Sequence, residues 1–118
     1  MFNGIIFNTG IVKKIKKNSK SVYVGIQTKI KFKKKDLGSS ICCNGVCLTI
    51  EKVYKDEIYF YISKETLKRS NFKTIKLNQT INIEKSITFG QKISGHFIQG
   101  HVDSVAKIKK IKFIDKSW

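Results

Sequence analysis

The chain contains no proline, and it has one arginine against 23 lysines and only eight acidic residues in 118. Without proline, each turn has to be made by glycine or by Asn, Asp, Ser and Thr side chains that bond their own backbone. With a single arginine the chain has little means of gripping phosphates or base edges with paired N–H donors. The formal charge of +16 would by itself draw the surface toward phosphates or anionic membranes. Its lysines, however, are scattered over residues 13–20, 29–35, 64–76 and 107–116, which reads as a solvated surface. The scarcity of acids limits general acid/base work by carboxylates. Glu65 and Asp103 are the least obviously solvated of them, and no paired carboxylates, glycine-rich phosphate loop or Ser/His/Asp order accompanies them. A membrane crossing needs about 20 apolar residues in a row. The chain has no such run, and its first seven residues lack the basic segment of a secretory leader. Three cysteines, Cys42, Cys43 and Cys47, fall within six residues, an odd number from which no disulfide framework can be built. They lack the CxxC pairing and histidine spacing of a zinc site, so reduced thiols in a cytoplasmic protein, with no bound metal, are expected.

What is present is alternation with period two, the mark of strands with one buried face. It is clearest over residues 22–26, 46–53, 58–62 and 80–83, with turns at 17–20, 36–39 and 55–57. Asn44-Gly45 between two apolar runs is a strong hairpin signal. One short helix is expected over Lys64-Glu65-Thr66-Leu67-Lys68-Arg69, with Ser63 placed to cap its first turn. Six or so short strands at 8 to 12 residue spacing predict an all-β fold, a small closed antiparallel barrel with one short helix.

A second signal is an internal repeat. Phe2-Asn3-Gly4-Ile5-Ile6 aligns with Ile98-Gln99-Gly100-His101-Val102, and the same offset lays Val12-Lys13-Lys14-Ile15-Lys16 over Ile108-Lys109-Lys110-Ile111-Lys112. A period of roughly 95 residues is too long for a solenoid unit and fits a duplicated small domain. The expected organisation is a barrel over residues 1–87, a connector over 88–97, and the beginning of a truncated second copy over 98–118.

Candidate chemistry gathers at two places. On a strand Cys47 and Thr49 point the same way, setting a thiol and a hydroxyl on one face; the plainer reading makes Cys47 a small buried apolar residue. His96 and His101 each follow a glycine, which lets backbone and ring approach a ligand closely. Five residues apart and without a third ligand they make a poor metal pair, and a hydrogen-bonded structural role is open to both.

Taken together, Met1-Phe2-Asn3-Gly4-Ile5-Ile6, Asn44-Gly45-Val46-Cys47-Leu48-Thr49, Lys64-Glu65-Thr66-Leu67, Ser94-Gly95-His96 and Gly100-His101-Val102-Asp103 resemble the riboflavin synthase alpha-chain family, in its order and spacing. The resemblance implies a six-stranded Greek-key barrel, the first of two, and a dismutation of two 6,7-dimethyl-8-ribityllumazine molecules. In that reaction one ring passes a four-carbon unit to the other, giving riboflavin and a ribitylamino-pyrimidinedione without cofactor or metal. It assigns catalytic roles to Cys47, Ser40 and His101. Ligand contacts fall to Phe2, Gly4, Ile5, Thr49, Thr66 and Val102, and to the backbone of Tyr61, Ile62 and Ser63. The implied partners are the lumazine and riboflavin themselves and further copies of the chain, a trimer in the full-length family and a dimer for this chain alone. Two other readings compete: a non-catalytic lumazine- or flavin-binding module, and a basic nucleic-acid-binding barrel stacking bases on Tyr23, Phe32, Tyr59 and Tyr61.

Overall fold

A computed structural model describes residues 1–117; the end of the expected second copy, Trp118, lies outside the described residues. The chain forms six strands, β1 (Asn8–Lys17), β2 (Ser21–Thr28), β3 (Ser40–Cys43), β4 (Val46–Tyr54), β5 (Glu57–Ser63) and β6 (Thr80–Lys85), of which β2, β4, β5 and β6 carry the alternation of apolar and polar residues. A single short helix, α1 (Lys64–Arg69), follows β5, and two single 3-10 turns cover Lys34–Asp36 and Asn71–Thr74. Every strand pair is antiparallel. The order β1-β2-β5-β4-β3-β6 returns from β6 to β1, closing the barrel in a Greek-key arrangement and leaving no free sheet edge. Both the predicted fold class and the helix with its boundaries are as expected from the sequence.

The inward faces make one core. Val22, Val24 and Ile26 of β2 meet Ile58, Phe60 and Ile62 of β5, Val46, Leu48 and Ile50 of β4, and Ile81 and Ile83 of β6, with Phe72 and Ile75 packed in after α1. Each such side chain contributes about 1.5–3 kcal/mol on burial, and this core fixes which side of β3 and β4 faces outward.

Residues 98–113, read as a copy of 2–17, form no strand of their own; Phe2 pairs with Ile98 in an isolated antiparallel bridge. The physical reason is visible in the original. β1 is held by β2 on one side and β6 on the other, and among the described residues the copy has neither neighbour. A strand is stabilised by the strands it pairs with, and without them the extended pairing does not form.

Candidate functional site

The site begins at the Asn44-Gly45 turn. Both residues take left-handed conformations, φ of 47° and 85°, as a two-residue hairpin of this hand requires. Asn44 also ties the tip to β6: its Oδ1 accepts from the Asn82 N–H at 2.7 Å and its own N–H donates to the Asn82 carbonyl at 3.0 Å. With the hairpin so fixed, Ile41, Cys43, Val46 and Leu48 enter the core. Ser40, Cys42, Cys47 and Thr49 take the outer face, Ser40 opposite Thr49 and Cys42 opposite Cys47. The predicted face of thiol and hydroxyl is therefore formed, and Cys47 is half-buried there while Cys43 is wholly enclosed.

Beside this face the sheet parts. β4 pairs with β5 from Tyr54–Glu57 to Ile50–Phe60 and no further, because β4 then runs against β3 while β5 continues along β2. Tyr61, Ile62 and Ser63 thus have no β4 partner on that side and pair with β2 on the other, and none of the three lines the cleft described below. The Ile62 side chain is fully buried, so only its backbone can face a ligand. Across the opening lies α1, whose position is set by two serines. Ser63 Oγ accepts from the Thr66 N–H at 3.2 Å and lies 3.1 Å from Thr66 Oγ1, while Ser70 Oγ donates to the Thr66 carbonyl at 2.6 Å.

The third wall comes from far along the chain. Phe2 and Ile98 exchange backbone hydrogen bonds at 2.8 and 2.9 Å, and the His96 N–H donates to the Asn3 carbonyl at 3.0 Å. Phe2 is fully buried. Glu84, on the outer face of β6 opposite Cys42, is itself buried and accepts from the Asn3 N–H at 2.6 Å and, through both carboxylate oxygens, from the Gly4 N–H at 3.2 Å. Held by this N-terminal arm, residues 98–102 cross the hairpin, and the Gly100 carbonyl accepts from the Cys47 N–H at 2.8 Å. Gly100 is buried with φ of +77°, and a Cβ there would stand 2.9 Å from the Cys47 nitrogen. Only glycine lets the strap come this close.

These walls enclose a cleft of about 160 Å³ between Val46-Cys47, the Glu65–Ser70 side of α1, and Gly100–Val102. Of the residues picked out from sequence, Cys47, Thr66, His101 and Val102 line it. Ser40 and Thr49 continue the same outer face one pair along. Phe2 and Gly4 belong to the clamp behind the strap, and Ile5 packs against Gly95. Burial and the nearby Glu84 push the Cys42 thiol up, and burial pushes Cys43 well up.

Three residues of the site escaped the sequence reading as functional positions. Glu84 alternates with solvated positions and gives no sign of burial. Glu65 was noted only as a carboxylate. Arg69, the sole arginine, stands four residues after Glu65, and that spacing was the available signal. Arg69 Nε donates to Glu65 Oε1 at the cleft rim. The hydrogen bond from Arg69 holds the Glu65 carboxyl below its usual range, and Glu65 in turn raises Arg69, with Asp103 adding to the effect. Glu65 stays ionised above the ordinary carboxylate range and the pair is lost only as pH falls through its lowered value, so the pair itself persists near neutrality.

Elsewhere, a larger open groove of about 730 Å³ runs between the starts of β1 and the end of β2, past Phe7, Thr9, Gln27 and Lys31, and holds none of the predicted residues. Among the aromatics suggested for base stacking, Tyr59 is buried, accepts from Lys14 Nζ at 2.8 Å and donates to Glu57; Tyr23 stacks on it at 6.0 Å. Tyr59 is therefore closed to a base. Among the described residues no cluster of His, Cys, Asp and Glu is arranged to hold a metal, and no helix is long and apolar enough to cross a membrane.

Comparison with known proteins agrees with this architecture. A family model described as "Lumazine binding domain" matches residues 3–86. A riboflavin synthase of Buchnera aphidicola subsp. Baizongia pistaciae is 39% identical over 103 residues, covering 86% of this chain and 49% of the relative. The riboflavin synthase of Bacillus subtilis is 31% identical over 112 residues, covering 95% and 52%. The chain thus spans about half the length of the curated relatives it matches. Among solved structures, LumP complexed with 6,7-dimethyl-8-(1'-D-ribityl) lumazine superposes with a TM-score of 0.79 at 28% identity, covering 98% of this chain and 64% of that one. LumP complexed with riboflavin gives 0.74, again at 28% identity, covering 88% and 56%.

Proposed function

The chain belongs to the lumazine-binding domain family, and from that premise we propose that its cleft holds one 6,7-dimethyl-8-ribityllumazine and that it serves as the N-terminal half of a riboflavin synthase, in the cytoplasm. The observation that carries this is the parting of β4 from β5 with Cys47, Thr66, His101 and Val102 gathered around the gap. A cleft of about 160 Å³ is below the range for a whole drug-sized ligand. It suits the fused ring, with the ribityl chain running out over the Ser40–Thr49 face. In this reading the pyrimidine edge is hydrogen-bonded by those backbone groups of Tyr61 to Ser63 that face away from β2, along the stretch where β5 lacks β4.

The reaction moves a four-carbon unit between two rings, so one barrel with one cleft holds half of the reacting pair. In this reading the exposed imidazole of His101 exchanges the proton of the lumazine 7-methyl group, and the Cys47 thiol or the Ser40 hydroxyl supplies the nucleophile. Holding two rings in attack geometry can remove roughly 7–11 kcal/mol of barrier. Turnover therefore requires a second site facing the first, supplied by another copy of the chain in a homodimer or by a second barrel opened by residues 98 onward. The likeness to LumP favours a second reading, in which the barrel binds lumazine or flavin without reaction.

Fluorescence titration with the lumazine and with riboflavin, followed by incubation with the lumazine alone, separates these. The synthase reading expects saturable binding of both and riboflavin formation that climbs more steeply than protein concentration. His101→Ala should lower that rate more than it lowers affinity. Binding without product at any protein concentration leaves the carrier, and no binding of either compound removes both.

A further inference from the structure

Cys42 and Cys47 stand directly opposite each other on β3 and β4, and their backbone groups say which kind of pair they make. The Cys47 N–H leaves the hairpin to bond the Gly100 carbonyl, and the Asn44 N–H bonds Asn82 of β6. Amide direction alternates along a strand, so Cys42, two residues before Asn44, also directs its N–H toward β6. The pair is thus a non-hydrogen-bonded one, whose Cα atoms in an antiparallel ribbon lie about 4.5 Å apart with side chains close. That falls inside the roughly 4.4–6.8 Å span that disulfides bridge. Both side chains take the outer face, whereas Cys43 turns into the core.

From this we propose that Cys42 and Cys47 form a reversible cross-strand disulfide, a thiol modification site in the wall of the cleft. Cys47 lines the cleft and Cys42 is buried behind it, which sets the order of steps with a small-molecule disulfide such as oxidised glutathione. The Cys47 thiolate attacks one sulfur, breaks the S–S bond, releases one glutathione thiol and leaves a mixed disulfide. The Cys42 thiolate then attacks Cys47 Sγ, forms the protein disulfide and releases the second thiol. Two cysteine thiols are oxidised, one disulfide is reduced to two thiols, and the two cysteine protons end on the released thiols. The second step is the slow one, because burial and Glu84 keep Cys42 protonated. Resting on the ligand reading above, the consequence is that oxidation withdraws the Cys47 sulfur from the bound ring and weakens lumazine binding.

The test is to oxidise the full chain with glutathione disulfide and then treat it with hydroxylamine under denaturing conditions, which cuts at Asn3-Gly4 and Asn44-Gly45 and leaves, besides the N-terminal tripeptide, two pieces, residues 4–44 and 45–118. In the Cys43→Ala variant the two pieces should stay joined until dithiothreitol is added, and in Cys42→Ala they should separate, Cys47 carrying glutathione. Pieces of Cys43→Ala that separate without reductant overturn the proposal, as does a native chain whose crosslink runs through Cys43. The crosslink is read without ligand, so a chain that oxidises as described yet binds no lumazine in either state upholds the disulfide and removes only the ligand reading.

Discussion

Gly100 accepts the Cys47 N–H while holding a φ of +77°, so a methyl group there meets both a backbone nitrogen and an unfavourable conformation. Gly100→Ala should lift the strap from the hairpin without touching the core. The expected outcome is a thermal midpoint within a few degrees of the parent and a lumazine affinity at least tenfold weaker, read by fluorescence titration; unchanged affinity would detach the strap from the site. At this scale the candidate site was legible where a residue carries its chemistry in plain view. Cys47 sits two residues past the Asn-Gly turn, and Thr66 sits in the capped helix. Glu84 was not legible, since alternation places it on a solvated face and only the arm folding over from the other end of the sequence buries it.

Two local devices govern the elements around the cleft. Ser63 caps α1 through the Thr66 N–H, and Ser63→Ala should cost about 1 kcal/mol, read as a lower urea midpoint at unchanged slope. Glu84 anchors the arm instead of the barrel. Glu84→Gln should speed hydrogen exchange at the Asn3 and Gly4 amides by tenfold or more and leave exchange in β2 and β5 as it was; equal loss of protection everywhere would make Glu84 a general stability residue. The pattern of alternation found β2, β4, β5 and β6, the Asn-Gly turn implied β3, and neither marked β1. There Lys13-Lys14 and Lys16-Lys17 interrupt the period, and the β1–β2 register slips between Val12 and Lys14. β1 is a strand because β2 and β6 hold it, and its near-copy at 104–113 shows that similar residues without those neighbours are not.

For the whole molecule, a net charge of +16 is spread over a closed barrel with two ion pairs among the described residues. Self-repulsion of that size destabilises the compact state and is screened by salt. The thermal midpoint should rise from low ionic strength to 0.15 M sodium chloride, and a flat or falling midpoint would mean that attractive pairs dominate. The barrel itself was legible because its strands need only local patterning. The path of the strap was not, since it depends on a contact between the two ends of the chain. That contact has a geometric consequence. Phe2 and Ile98 are equivalent positions of the sequence repeat, and so are Gly4 and Gly100, whose φ values of 76° and 77° agree. Their bridge therefore lies on an approximate local dyad, and arm and strap are two castings of one tool, of which the strap lies across the Asn44-Gly45 hairpin. The castings differ in one place that matters, for the arm carries Ile5 where the strap carries His101. They are alike as backbone and unequal as chemistry: where the strap lies an imidazole stands at the cleft, and a copy of the arm in that place would bring an aliphatic side chain instead.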